Sequence, residues 1–370
     1  MASVIDSALV QIKQLHPYSP GKPIEELERE LGVSNAYKLA SNENPLGCSP
    51  AARAALEGAA TPIELYPDAN AYYLKRRLAQ QLDVGENQIT IGNGSNDVLD
   101  LVARTFLDAS RAAVFSQYAF MVYGMVTQAC GARAQIAPAL DASDEQPLGH
   151  DLDAMLAAID DSTQVVFIAN PNNPTGTWLS SDVLEGFIDQ VPAHIAVVID
   201  EAYFEYVELA DYPNTIQWLP RYPNLVVTRT FSKIYGLAGL RIGYAVSSAE
   251  LCDLFNRVRQ PFNGNSLALA AALAALDDEE FVAQSRANNH QGLQMMQEWF
   301  GLHAIEYIPS VGNFLSVRFG EASSRVYQAL LERGVIVRPV ANYGMPEYLR
   351  ISVGTAAQIR QMLEYLDDIP

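Results

Sequence analysis

The feature that most limits what this chain can build is a series of short apolar runs. They lie at residues 88–91, 112–115, 164–169, 195–199 and from 225 onward, and several are dominated by Val and Ile. Each is too short for a buried helix, and the longer ones are continuously apolar rather than alternating, which is how strands buried on both faces read. Between and around them lie segments with helical spacing, at 72–82, 98–106, 152–159 and 181–190. Strand and helix in alternation predict an α/β fold with a mostly parallel sheet covered by helices.

The runs also stop in an informative way. The first gives way to Gly92-Asn-Gly-Ser-Asn-Asp97 and the second to an aromatic-rich stretch, Gln117 to Tyr123. The next three end in Asn170-Pro-Asn-Asn-Pro-Thr-Gly176, Asp200-Glu-Ala-Tyr203, and the hydroxyls preceding Lys233. In parallel sheets, ligands gather just past the carboxyl ends of the strands. Any one polar strand end is commonplace, but several in succession describe a site. The glycine loop at 92–97, followed by a helix, has the local form of an anion cradle, with Ser95 as the expected cap and free backbone N–H groups at the helix start.

The final third changes character. An Ala/Leu-rich helix is expected at 263–276, a long one at 279–300, and further helices at 323–333 and 357–366. Strands are expected at 314–317, 335–337 and 349–353. This order predicts a smaller α+β domain. The division expected is a large domain over residues 41–269, with residues 1–40 and 270–370 forming the small one. Within the N-terminal part a helix is predicted at 24–31, a loop at 38–47 and a helix at 50–58.

Bulk properties narrow the function. A formal charge of −19 argues against nucleic acid or an anionic membrane as partner. An anionic small-molecule substrate would therefore need cationic side chains inside its site. Among the 370 residues no apolar run is long enough for a membrane helix. Cys48, Cys130 and Cys252 are odd in number and far apart, which suits reduced thiols in a cytoplasmic protein. The five histidines are scattered, so no metal site is expected.

The strand-end residues suit a phosphorylated aldehyde cofactor. Lys233 supplies an amine, Asp200 a carboxylate able to hold a ring nitrogen protonated, and Tyr203 and Asn173 hydrogen-bond donors for a ring hydroxyl. Ser95, Asn96, Ser232 and Arg241 can receive a phosphate. A nucleotide-binding module built on residues 92–97 is the competing reading. The loop lacks both the third glycine of a dinucleotide fingerprint and the Lys-Ser/Thr ending of a P-loop.

Together Asn173-Pro-Thr-Gly176, Asp200-Glu-Ala-Tyr203 and Ser232-Lys-Ile-Tyr-Gly-Leu-Ala-Gly-Leu-Arg-Ile-Gly243 resemble the motifs of the fold type I, class I/II pyridoxal-phosphate aminotransferases. Leu39 to Gly47, Tyr66-Pro-Asp68, Gly92 to Asp97, Val337-Arg-Pro339 and Tyr348 to Gly354 are similar to the branch acting on histidinol phosphate. The resemblance covers nearly the whole chain. It implies a cofactor, pyridoxal 5'-phosphate, held as a Schiff base on Lys233, and transamination between L-histidinol phosphate and 2-oxoglutarate in histidine biosynthesis.

The resemblance also implies roles residue by residue. Lys233 moves the substrate's α-proton and Asp200 pairs with the ring nitrogen. Asn173 and Tyr203 bind the ring oxygen, and Ser95, Asn96, Ser232 and Arg241 hold the phosphate. Phe120 stacks on the ring where relatives often carry a tyrosine. Tyr66 reaches across a homodimer interface, Arg350 and Arg338 meet the substrate's anionic group, and Asn44 and Tyr18 are lesser substrate candidates. An aromatic amino-acid aminotransferase of the same subfamily is the close alternative. A pyridoxal-phosphate decarboxylase, such as threonine-phosphate decarboxylase, is a further one.

Overall fold

The computed structural model of the chain describes residues 3–17, 21–58 and 64–369. A two-residue strand, β1 (Tyr37–Lys38), precedes those of the main sheet. These are β2 (Ile89–Gly92), β3 (Ala112–Ser116), β4 (Arg133–Ala137), β5 (Thr163–Ala169), β6 (Ala196–Asp200), β7 (Leu225–Thr230) and β8 (Gly243–Ser247). The strands β9 (Tyr307–Ile308), β10 (Phe314–Arg318), β11 (Val335–Ile336), β12 (Arg338–Pro339) and β13 (Tyr348–Ser352) follow.

The main sheet has the order β2-β8-β7-β6-β5-β3-β4. Only β8 runs against its neighbours, so β2, β3, β5, β6 and β7 all open their carboxyl ends at one edge. Period-two alternation sorts the apolar runs onto the two faces. Val166, Ile168, Val197 and Val227 join one core. Val165, Phe167, Val198 and Val226 join the other. Each such fully buried side chain stabilises the fold by roughly 1.5–3 kcal/mol relative to exposure.

A second sheet, β12-β13-β10-β9, is antiparallel throughout. Its core includes Leu315, Ile351, Met296 from helix Glu279–Leu302 and Met362 from helix Ala356–Asp367. The β1 strand pairs in parallel with β11, and Leu39 enters this second core. The N-terminal segment is thereby tied to the C-terminal part of the chain. The first helix, Val10–Gln14, lies elsewhere, since Gln11 accepts a bond from Gln128 on helix Val122–Ala129.

Helix Ser266–Ala275 belongs with the main sheet, because Ala268, Ala271, Ala272 and Ala275 pack into its core. A division at 269–270 therefore falls inside a helix. Two strands of the main sheet are absent from the sequence-based expectation, as are the two-residue β1, β9 and β12. The edge strand β4 is largely exposed and carries Arg133 and Gln135, and β8 opens on glycine. Neither shows a long apolar run. Gly94, not Ser95, is the N-cap of helix Ser95–Phe106, with no side-chain cap, so the expected role of Ser95 as cap is corrected.

Candidate active site

The carboxyl edge of the main sheet, the segment 40–43 and strands β12 and β13 enclose a cavity of about 380 Å³. That is the scale of small-ligand pockets. The end of β6 places Asp200 at its floor, the turn after β7 brings Lys233 to it, and β13 carries Arg350 in from the opposite side.

Asp200 is 4% exposed. Its Oδ2 accepts from the Tyr123 hydroxyl at 3.0 Å and its Oδ1 from the Thr228 hydroxyl at 2.9 Å. Burial pushes its pKa up to about 6, a shift opposed by the bonds from Thr228 and Tyr123 and by the charge of Lys233. Two hydroxyl donors fix the carboxylate in orientation, so it can serve as a stationary anion facing a cationic ligand. Next to it, Glu201 and Arg229 form an ion pair at 2.7 Å that is closed to solvent. It anchors the turn that carries Asp200 and Tyr203.

Lys233 donates to the Ser41 carbonyl at 3.0 Å. Burial draws its pKa down to about 8, and the charges of Arg350, Arg241 and Lys38 act in the same direction against Glu43. An amine so placed is a usable nucleophile near neutral pH. The Tyr203 hydroxyl accepts from Asn42 at 2.9 Å, which leaves its own proton to donate. Burial holds that proton on, with the pKa pushed up to about 12.

The anion cradle forms where β2, β8 and β7 meet. Gly92 is opposite Gly243, and Gly243 is opposite Thr230. This register sets the N-terminus of helix Ser95–Phe106 beside Ser232 and Arg241. The first-turn amides of Ser95 and Asn96 have no intrahelical acceptor, as at any helix start. Asp97 braces the loop, accepting from the Asn93 amide at 2.8 Å and from Asn263 at 2.7 Å. The Arg241 guanidinium donates to the Ala238 carbonyl at 3.0 Å and reaches the Ser232 hydroxyl at 3.5 Å. It also packs on Gly94, whose φ is +84°, and a Cβ there would fall 2.4 Å from Arg241 Nη2. This concave set of N–H, hydroxyl and guanidinium donors fits a phosphate.

Arg350 donates to Asn173 Oδ1 and, at 2.6 Å, to the Ala40 carbonyl. Its Nε is buried with no partner among the described residues, which is a donor waiting for an anion. Arg338 lines the same cavity, as do Phe120, Asn173, Ser95, Asn96, Ser232 and Arg241. Asn44 is not part of the lining. Its amide donates to the Ile234 carbonyl and to Ser285, locking residues 44–47 onto the lysine loop. Gly236 makes that docking close, since a Cβ there would fall 1.9 Å from the Gly47 oxygen. Tyr66 stands outside the cavity, 81% exposed and stacked on Phe262. Tyr18 lies outside the described residues.

The sequence reading missed Tyr123, Thr228, Asn42 and Glu43. Thr228 sits two residues before Thr230 on β7 and faces Asp200 across the β6–β7 pair, so pleat alternation was a usable signal. Nothing local in the sequence directs Tyr123 toward Asp200.

The sequence pattern described as Aminotransferase class I and II matches residues 34–366. The chain is 55% identical over 357 residues to "Histidinol-phosphate aminotransferase 2" of Pseudomonas fluorescens, covering 96% of this chain and 95% of that one. It is 53% identical over 343 residues to "Histidinol-phosphate aminotransferase 1" of Idiomarina loihiensis, covering 93% and 92%. The crystal structure of the histidinol-phosphate aminotransferase of Sinorhizobium meliloti, in complex with pyridoxal-5'-phosphate, superposes with a TM-score of 0.87. There the identity is 28%, covering 97% of this chain and 96% of that one.

Proposed function

Because this chain belongs to the class I and II aminotransferases, we propose that Lys233, Asp200 and the Ser95–Arg241 cradle hold its pyridoxal 5'-phosphate, and that Arg350 and Arg338 receive its substrates. The reaction is transfer of the amino group of L-histidinol phosphate to 2-oxoglutarate, giving imidazole-acetol phosphate and L-glutamate, a step of histidine biosynthesis. One observation carries the residue assignment. A depressed amine, a fixed carboxylate, a phosphate-sized cradle and a guanidinium with an unpartnered Nε line a single cavity. Relatives more than half identical over nearly the whole chain favour this donor over an aromatic amino acid.

The cofactor supplies an electron sink conjugated to the substrate's α-carbon. The protein does the rest. Asp200, held by Tyr123 and Thr228, keeps the sink's nitrogen cationic. Tyr203 and Asn173 would hydrogen-bond the ring's oxygen and Phe120 would pack against the ring, since all three line the cavity. Lys233 takes the proton from the α-carbon of the donor and returns one on the other side of the transfer. Arg350 and Arg338 bind the phosphate of one substrate and a carboxylate of the other, so one cationic pair serves both half-reactions.

The decisive test is the absorption spectrum of the loaded enzyme on adding L-histidinol phosphate without an oxo acid. Conversion of the cofactor to its amine form establishes donor and cofactor together. Conversion by phenylalanine or tyrosine alone would move the enzyme to the aromatic alternative.

Two further outcomes follow from the site. Gly94→Ala drives a methyl into Arg241 at a positive-φ position, so the dissociation constant for the cofactor is expected to rise at least about tenfold, the scale of one charged hydrogen bond. Equilibrium dialysis of the cofactor-free protein measures it. Lys233 must be neutral to react, so the rate at which cofactor-free protein takes up the aldehyde is expected to climb with pH. The climb approaches tenfold per unit well below the lysine's pKa and levels off above about 8. Stopped-flow absorbance at a series of pH values reads this directly.

A homodimer and a cytoplasmic location belong to the same reading. Leu65 and Tyr73 are exposed near Tyr66 in the chain, which suits a face that meets a second copy. The free thiols of Cys48, Cys130 and Cys252 suit a reducing compartment. We place the division between the two domains just after helix Ser266–Ala275, with β1 joining the smaller one through β11 and helix Val10–Gln14 staying with the larger.

A further inference from the structure

Among the described residues lining the cavity there are two carboxylates, Asp200 and Glu43. Asp200 is engaged at both oxygens. Glu43 is not: its Oε1 accepts from Lys38 at 2.7 Å, and its side chain remains 42% exposed. The backbone around it is fixed residue by residue. Leu39 is bonded to Ile336 and Ser352, Ala40 accepts from Arg350 and Ser41 from Lys233. Asn42 receives the Ser352 hydroxyl at its own amide oxygen, bonds Tyr203 and accepts from Asn313, while Asn44 is held by Ile234 and Ser285. A carboxylate on so constrained a strap is preorganised for a ligand.

The charge layout gives it a task. The guanidiniums of Arg350, Arg338 and Arg241 account for anions, so a carboxylate facing the same space selects for a hydrogen-bond donor on the organic substrate. Resting on the function proposed above, we infer that Glu43 is a specificity residue that accepts the imidazole N–H of the donor. Phenylalanine offers no such proton. Glutamate presents a second carboxylate and gains nothing from Glu43.

The test compares half-reactions of the loaded enzyme with L-histidinol phosphate, L-glutamate and L-phenylalanine, for wild type, Glu43→Gln and Glu43→Ala. For histidinol phosphate kcat/KM is expected to fall about tenfold in E43Q and up to about a hundredfold in E43A, chiefly through KM. These are the sizes of a charge-assisted bond weakened and removed. The rate with glutamate is expected to stay level or rise, and that with phenylalanine to stay level. Equal losses for all three donors would make Glu43 merely structural and overturn the inference, as would no loss for any. If wild type itself fails with histidinol phosphate, the proposed function falls and this inference with it; a competent wild type with an indifferent E43A sinks the inference alone.

Discussion

Lys233→Ala is expected to fold normally and to turn over at least about 10⁴-fold more slowly than wild type. The substitution removes two contributions at once. The amine no longer attaches the aldehyde, and the α-proton loses the base proposed to move it. General acid–base catalysis alone is worth about 10²–10⁴-fold, and the covalent attachment adds to that. Little in the fold depends on the ammonium, since among the described residues its hydrogen bond goes to the Ser41 carbonyl. Circular dichroism should therefore match wild type, while steady-state assays with L-histidinol phosphate and 2-oxoglutarate collapse. More than about 0.01% residual activity would be incompatible with these roles.

Asp200→Asn carries the second large effect, and it separates activity from stability. A neutral amide in place of the buried carboxylate cannot hold the sink's nitrogen cationic. We expect kcat to fall by about 10²–10³-fold, the usual size of a lost preorganised electrostatic contact, with KM changing far less. Stability of the cofactor-free protein should move the other way. The folded-state pKa of Asp200 is raised to about 6 by burial, above the unfolded value of about 3.9. A raised acid contributes stability that is fully present below the unfolded pKa and lost as pH rises through the folded one. The wild type should thus lose about 3 kcal/mol between roughly pH 4 and 6 that Asp200→Asn does not lose. Urea titrations of both cofactor-free proteins at pH 4.5 and 7.5 measure the difference. An Asn variant no more stable than wild type at pH 7.5 would refute the assigned cost of burying that charge.

Much of the site was legible because it sits where periodicity changes. Asp200, Lys233 and Asn173 each follow a buried apolar run, and a parallel sheet must gather those ends at one edge. The glycine loop was legible for the same reason, as a strand breaking into a helix start. The helices at 24–31 and 50–58 were readable from spacing and from Gly32 and Pro50 at their ends. Strand β4 was not, because an exposed edge strand needs no apolar run. Serine's preference for the N-cap predicts Ser95 there, but the sharp turn needs a φ of +84° and gives the cap to Gly94.

The sequence by itself determined the α/β layering and named the strand-end residues, Lys233 among them, as the candidates for chemistry. These follow from local periodicity and from residue types whose chemistry is their own. Only the tertiary structure decided which groups tune them. Tyr123 meets Asp200 from 77 residues away, Arg350 reaches Asn173 across 177, and Asn42 reaches Tyr203 across 161. Such pairings, and the pKa shifts they accompany, arise from burial and from register between distant strands, and no local run of residues encodes either.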